Sequence, residues 1–240
     1  MPPPEPALLL VFGAHPDDIE FGCGGVIAQE TRSGAPAHFV ICSRGEAATN
    51  GTPAQRTSEA EKGAALLGAS LEFIDLGGDA HFEFRLEHVL TLAAIIRRLR
   101  PRILLSPTLV ENQHPDHAIL GRLVRDAARL ARYGGVEELR GTPPHAVEQV
   151  LAYAITVEGE PKETTPVFVA LSGPETLASW TRAMEAHGSQ SQTRNYVELQ
   201  LTRARLNGLR CGVEHAIALY PNDPFVVGSL IQLGRAARRF

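Results

Sequence analysis

The segment from Leu8 to Gly25 constrains the fold more than any other part of the chain. An apolar run, LLLVF, leads into the turn His15-Pro16-Asp17-Asp18, and three glycines follow at the end of the segment. A short run that is apolar at every position predicts a strand buried on both faces of a parallel sheet. Because ligands bind beyond the carboxyl ends of such strands, the histidine and the two aspartates are candidate functional residues.

Apolar runs and helical patterns alternate along the following residues, which is typical of βαβ units. Further strands are predicted at 37–42, 71–76 and 103–106, and helices at 24–33, 53–67, 86–100 and 118–133. The sequence therefore predicts a single α/β domain with three layers, a mostly parallel Rossmann-like sheet flanked by helices. Its core should span about residues 7–133.

A less regular C-terminal extension is predicted over about residues 134–240. Strands at 150–157 and 166–171 should extend the sheet, followed by a helix over 173–184 and a long polar helix over about 192–218 that is interrupted near Gly208 and Gly212. The chain ends in a basic tail, 235–239. No linker marks a second compact domain.

A second cluster, His114-Pro115-Asp116-His117, follows the predicted strand at 103–106 and opens a helix. Neutral imidazole and carboxylate ligands suit zinc with an open coordination position. His15, Asp18 and His117 are therefore candidate ligands, and Asp17 is the candidate general base. A His-Pro-Asp sequence also caps ordinary turns, but its repetition after two strands of one sheet favours a metal site.

The same cluster supplies a candidate acid. His114, hydrogen-bonded to Asp116 and held protonated, would stabilise an oxyanion or donate a proton to a leaving amine. Together these residues are suited to metal-assisted amide hydrolysis.

The two histidine motifs resemble those of the LmbE-like or PIG-L family of zinc-dependent N-deacetylases, which act on N-acetylglucosamine conjugates. Gly45-Glu46, 49–52, Arg56 and His187-Gly188-Ser189-Gln190 resemble the branch that deacetylates N-acetylglucosaminyl malate in bacillithiol biosynthesis. The resemblance implies one Zn²⁺ per subunit, with another divalent metal as the alternative. It also implies a homo-oligomer, a hexamer in this branch.

The resemblance also assigns roles to individual positions. It implies His15, Asp18 and His117 as zinc ligands, Asp17 as the base, and His114 as the acid that Asp116 orients. Arg56 resembles a substrate-binding arginine, although it is also placed to be a surface residue paired with Glu59. Some relatives have a tyrosine two positions before His114, where this chain has Asn112.

Two further substrate-binding candidates are open to other interpretations. Asp79 is placed to bind a sugar hydroxyl, but aspartate in a glycine-rich turn usually serves the turn itself. His187 would reach the site from the C-terminal third of its own chain or from a neighbouring subunit. The group attached to the amino sugar is left open between malate, inositol and others.

Composition excludes several partners. The formal net charge of −4 argues against nucleic acid, which requires a basic face. No run approaches the ~20 apolar residues of a membrane span, so no membrane association is expected. Three cysteines at unrelated spacings indicate free thiols and a cytoplasmic protein.

Two other classes of function are kept as alternatives. A metal-dependent phosphoesterase also uses histidine and aspartate ligands, although two-metal sites need more carboxylates. A sugar- or nucleotide-binding module with a vestigial metal site would fit the glycines at 22–25, but neither GxGxxG nor GxxxxGK[ST] is present. A GxSxG nucleophile elbow is absent too, which disfavours a serine hydrolase.

Overall fold

Seven strands form one sheet, and six helices cover its two faces in the part of the chain that the structure describes. The structure, a computed structural model, describes residues 8–111, 114–192 and 194–230. The strands are β1 Leu9–Gly13, β2 Ala37–Ile41, β3 Ser70–Phe73, β4 Ile103–Pro107, β5 Gln149–Tyr153, β6 Val167–Leu171 and β7 His215–Pro221. The helices are α1 Asp18–Arg32, α2 Pro53–Leu66, α3 Leu86–Leu99, α4 Pro115–Ala131, α5 Pro174–Glu185 and α6 Tyr196–Cys211.

The strand order is β3-β2-β1-β4-β5-β7-β6. Strands β1 to β5 pair in parallel, whereas β7 is antiparallel to both β5 and β6. The three-layer, mostly parallel α/β prediction is thereby confirmed. None of the described helices combines the length and the apolar character that a bilayer span requires.

Strand β1 is buried on both faces, as its sequence predicts. Leu9 and Val11 join the hydrophobic cluster under α1, α2, α5 and α6, and Leu10 and Phe12 join the cluster under α3 and α4. Because successive side chains of a strand point to opposite faces, one apolar run supplies both cores.

Helix α1 begins earlier than the sequence predicts. It starts at Asp18 rather than near Gly24, so three glycines lie inside the helix. A Cβ on Gly22 would come within 2.2 Å of the Tyr153 ring, and one on Gly24 within 2.8 Å of Trp180. These glycines therefore allow close packing of the helix, at a cost in helix propensity.

The helix predicted over about 192–218 is confirmed up to the interruption predicted near Gly212, and only the prediction of helix beyond that glycine is wrong. Helix α6 ends at Cys211, where Gly212 adopts a left-handed conformation with φ 69°. His215–Pro221 then forms β7, a buried strand between β5 and β6. The glycine allows the turn, and burial between two strands accounts for the apolar run AIALY. The basic tail at 235–239 lies outside the described residues.

Arg97 is an unusual part of the core because it is a charged residue with only 2% of its surface exposed. Its guanidinium donates to four backbone carbonyls that follow or end α4, at 2.5–2.9 Å. The acceptors are those of Ala131, Tyr133, Leu139 and Thr142. One side chain thus satisfies the end of α4 and the connection that follows it.

Candidate metal and active site

The two histidine clusters meet at the point where the strand order changes direction. From β1 the chain moves outward through β2 to β3, and it then returns to place β4 on the other side of β1. The first cluster follows β1 and the second follows β4, its neighbour. Open α/β sheets bind ligands in the crevice at this switch point. Here the crevice is a cleft of about 680 Å³.

The loop after β1 positions both aspartates through its backbone. Asp17 has φ 101°, a conformation that few residues other than glycine adopt. Asp18 is the first residue of α1, and its Oδ2 atom accepts the N–H groups of Ala14 and His15, both at 2.9 Å. The Oδ1 atom of Asp18 faces His117 Nε2 at 3.1 Å.

Helix α4 carries the second cluster to the same place. Pro115 is its first residue, which suits proline because the first helical N–H has no partner within the helix. A Cβ on Gly121 would lie 2.5 Å from the carbonyl oxygen of Pro107. The absence of a side chain there lets α4 approach the end of β4 and brings His117 toward Asp18.

His15 lies at the centre of the site. Its Nδ1 atom is 3.5 Å from Asp18, and its Nε2 atom is 3.1 Å from Asp79 and 3.2 Å from Asp116. His114 Nε2 is 3.3 Å from Asp79, whereas Asp116 also accepts the Ala80 N–H at 2.8 Å. Asp116 as the group that orients His114 stays a prediction.

The donor atoms of the site fit a metal ion. One nitrogen each of His15, His114 and His117 lie within 4.8 Å of one another. Asp18 lies beside this group: its Oδ1 atom is 3.1 Å from His117 Nε2, and its Oδ2 atom is 3.5 Å from His15 Nδ1. His117 Nδ1 is buried and has no hydrogen-bond partner in the described residues.

A second group of donors overlaps the first. Donor atoms of His15, Asp79, His114 and Asp116 also lie within 4.8 Å of one another. A ligating histidine usually donates its other ring N–H to a carboxylate. Asp79 and Asp116 are placed to accept that hydrogen bond from His15 Nε2, while its Nδ1 atom faces Asp18.

Arg56 is buried, with 4% of its surface exposed, so it is not the surface residue that one interpretation expects. Its guanidinium donates to the carbonyl of Pro16 at 2.8 Å and to Asp17 Oδ2 at 3.3 Å, and it lies 3.9 Å from Asp79. A Cβ on Gly45 would overlap the guanidinium at 2.0 Å. The arginine therefore holds the Asp17 loop while lining the cleft.

Burial and charge act against each other on the titrating groups. Burial raises the pKa of Asp17 to about 6, although Arg56 lowers it. Burial also acts to raise the pKa of Asp18, but His117 and His15 outweigh it and hold that pKa well below its usual value. Burial lowers the pKa of His15, yet Asp18, Asp116 and Asp79 raise it overall.

The three substrate-binding candidates have different outcomes. Arg56 and Asp79 line the cleft, and Asp79 contacts the central histidine rather than serving only its turn. His187 lies outside the cleft lining, fully buried, with Nε2 3.3 Å from Glu20. This burial argues against substrate contact and for a supporting role. Asn112 lies outside the described residues.

The far wall of the cleft is defined by five further lining residues to which the sequence analysis assigned no role: Phe21, Asn50, Thr156, Gln190 and Tyr196. Phe21 lies in α1 one turn after Asp18, and Tyr196 begins α6, with the two ring centroids 5.5 Å apart. Asn50, Thr156 and Gln190 add polar groups to this wall. Asn50 and Gln190 carried a sequence signal, as parts of the 49–52 and 187–190 motifs. Thr156 and Tyr196 come from a loop and from the start of a helix, which have no periodicity.

The fold and the site define an α/β protein with a histidine and aspartate centre able to hold a metal ion. The sequence model described as "PIG-L: GlcNAc-PI de-N-acetylase" matches residues 10–128. A conserved protein from Thermus thermophilus has a similar solved structure, with a TM-score of 0.79 and 30% identity, covering 92% of this chain and 96% of that one. Over residues 10–128 the chain is therefore similar to the PIG-L family.

Curated relatives include proteins of two different activities. The 4-oxalmesaconate hydratase of Pseudomonas putida is 32% identical over 150 residues, which cover 56% of this chain and 58% of the hydratase. The diacetylchitobiose deacetylase of Thermococcus kodakarensis is 28% identical over 158 residues, covering 60% of this chain and 59% of the deacetylase. The matches thus span less than two thirds of either relative.

Proposed function

We propose that this protein is a zinc-dependent hydrolase that removes the N-acetyl group from an N-acetylglucosamine conjugate. The observation that carries the proposal is the position of His15 and His117, whose nitrogens belong to a group that could hold a metal ion, with Asp18 in contact with both rings and Asp17 outside that group. Deacetylase relatives support the reaction class. When bound by these residues, zinc would polarise the acetyl carbonyl and make water more acidic.

The remaining steps belong to the protein's own side chains. Asp17, held by Arg56 at 3.3 Å, accepts the proton of the attacking water. His114, whose Nε2 atom faces Asp79, stabilises the oxyanion and donates a proton to the leaving amine. The C–N bond then breaks, and acetate and the free amino sugar are the products.

N-acetylglucosaminyl malate is the proposed substrate, supported by the resemblance of residues 45–59 and 187–190 to the bacillithiol branch. The hexamer rests on the same resemblance and is tested by light scattering of the purified protein. The cytoplasm is the proposed location, supported by the free thiols of Cys23, Cys42 and Cys211.

The reaction class is tested by product analysis. Acetate release is measured from N-acetylglucosaminyl malate, N-acetylglucosaminyl inositol and diacetylchitobiose, with a generic phosphate ester as the control. We expect acetate from at least one conjugate and no phosphate. Phosphate release without acetate would contradict the deacetylase and favour a phosphoesterase.

A hydratase is the second candidate, because the P. putida hydratase is 32% identical to this chain. Both reactions activate water, but a hydratase adds it to a carbon–carbon double bond and releases no acetate. Loss of ultraviolet absorbance from 4-oxalmesaconate, measured beside acetate release, distinguishes the two.

Metal binding is tested with His117→Ala. Loss of an outer-shell partner of a metal typically costs 10- to 100-fold in affinity, so loss of a ligand should weaken zinc binding by at least about 100-fold. Zinc content after dialysis against a weak chelator measures the effect. His215→Ala, a change on β7 outside the cleft lining, is the matched control and should keep its zinc. Equal zinc content in both variants would show that His117 is not a ligand.

A further inference from the structure

Gln190 is a cleft residue whose position is set by the segment around it. The segment 187–190 follows α5 and packs against α1 and α2. His187 Nε2 contacts Glu20 of α1 at 3.3 Å, with both side chains fully buried. Ser189 donates its backbone N–H at 2.9 Å and its hydroxyl at 2.6 Å to Glu59 of α2. The segment is therefore held at two points before the chain reaches Gln190.

The loop after β2 holds the segment from the other side. Gly51 has φ 80°, and a Cβ there would come within 2.8 Å of Ser189 Cβ and 2.9 Å of its hydroxyl oxygen. A glycine is thus required both by the backbone conformation and by the close approach of Ser189. The neighbouring Asn50 lines the cleft beside Gln190.

Hydrogen bonds determine the orientation of the Gln190 amide. Its Nε2 atom donates to the Asn50 carbonyl at 2.9 Å and to the Ser189 hydroxyl oxygen at 3.0 Å. A carbonyl can only accept, and the Ser189 hydroxyl has already donated its hydrogen to the Glu59 carboxylate. Both acceptors therefore require the NH₂ group, and the reversed amide would place oxygen against oxygen.

The Oε1 atom of Gln190 takes no part in this hydrogen-bond network, which engages only the Nε2 atom. Among the described residues no hydrogen bond reaches it, and the side chain lines the cleft. An amide oxygen whose nitrogen is already engaged can only accept. It therefore favours a hydroxyl or N–H group of a ligand and disfavours a carboxylate or phosphate at the same position.

We propose that Gln190 is a specificity-determining residue whose Oε1 atom accepts a hydrogen bond from a sugar hydroxyl of the substrate. This inference rests on the proposed deacetylase function and adds which group of the substrate, a hydroxyl, the far wall of the cleft recognises. Glu59 and Ser189 are positioning residues, since they act on the substrate only through the Gln190 amide.

The test combines a side-chain change with removal of single hydroxyls from the substrate. The probes are methyl N-acetyl-glucosaminide and its 3-, 4- and 6-deoxy analogues, assayed by acetate release. For the unchanged enzyme we expect one analogue to lose about 3- to 10-fold in kcat/KM, the size of one neutral hydrogen bond. Gln190→Met should lower kcat/KM for the parent compound by the same factor. The variant should use that analogue as well as the unchanged enzyme does.

Additional variants separate recognition from a general structural effect. Ser189→Ala, which removes one acceptor of Nε2, should show a smaller loss with the same dependence on that hydroxyl. Gln192→Met, a change at an exposed glutamine outside the cleft lining, should behave like the unchanged enzyme.

Two results would overturn the inference in different ways. In an active enzyme, the loss in kcat/KM caused by Gln190→Met and the loss caused by a deoxy analogue would be independent if the two factors multiplied for every analogue. That result would contradict the role of Gln190 and leave the proposed function standing. Absence of acetate from the unchanged enzyme with the parent compound and with every conjugate named above would overturn the proposed function, and this inference with it.

Discussion

Replacing Asp17 by Asn should lower kcat for acetate release by about 100- to 10,000-fold, because an amide cannot accept the proton of the attacking water. The change should leave the fold intact. Asparagine tolerates the left-handed backbone region better than most residues, and Asp17 has φ 101°. Its amide oxygen still offers an acceptor to Arg56, which contacts the carboxylate at 3.3 Å. The measurement is kcat at saturating substrate, with zinc content determined on the same sample.

Asp126→Asn is the matched control for this variant. Asp126 pairs with Arg125 and Arg129 on α4 and does not line the cleft, so kcat should stay unchanged. If Asp17→Asn lost its zinc, Asp17 would be a ligand rather than the base. Full activity with full zinc would place the base elsewhere.

Replacing Arg97 by Met should lower the free energy of unfolding by about 4 kcal/mol. Each hydrogen bond to a charged group contributes roughly 1.5–3 kcal/mol, and contributions that share one side chain are not additive. Methionine keeps most of the buried volume but removes the charged donor from all four carbonyls. Three of the four keep a backbone N–H donor, so the loss is less than the sum of four hydrogen bonds. Urea denaturation followed by circular dichroism measures the change, with the slope of the transition compared between proteins.

The adjacent arginine provides the control for this effect. The Arg98 side chain is 51% exposed and pairs with Glu72 at the surface. Exposed ion pairs contribute about 0–1 kcal/mol, so Arg98→Met should change stability by no more than that. Similar losses in both variants would show that the buried carbonyls do not depend on Arg97.

The sequence predicts the parallel part of the fold because local patterns and tertiary packing agree there. The run before Gly13 is apolar on both faces, and the structure buries both faces in separate clusters. The predicted start of α1 was wrong because glycine normally disfavours a helix. The contacts that override this preference come from Tyr153 and Trp180, which are distant in sequence. Strand β7 was missed because its pairing with β5 and β6 depends on long-range contacts.

The candidate site was predictable to the extent that it follows strand ends. The structure brings the residues after β1 and β4 together because these strands are neighbours, and their separation in sequence does not matter. The burial of Arg56 and of His187 was not predictable, since it depends on how loops pack on α1 and α2. The central position of Asp79 has the same origin, because a glycine-rich turn carries no pattern that shows where it points.

The glycines of α1 also bear on the order in which this chain matures during synthesis. The surface that Gly24 offers is covered by Trp180, which is far along the chain and whose indole N–H donates to the Glu20 carbonyl at 2.7 Å. At about 5–20 residues per second, translation of the intervening chain takes roughly 10 to 30 s. Throughout that interval the helix that carries Asp18 lacks its covering layer. Helix α1 therefore reaches its final surroundings only after α5 has been synthesised.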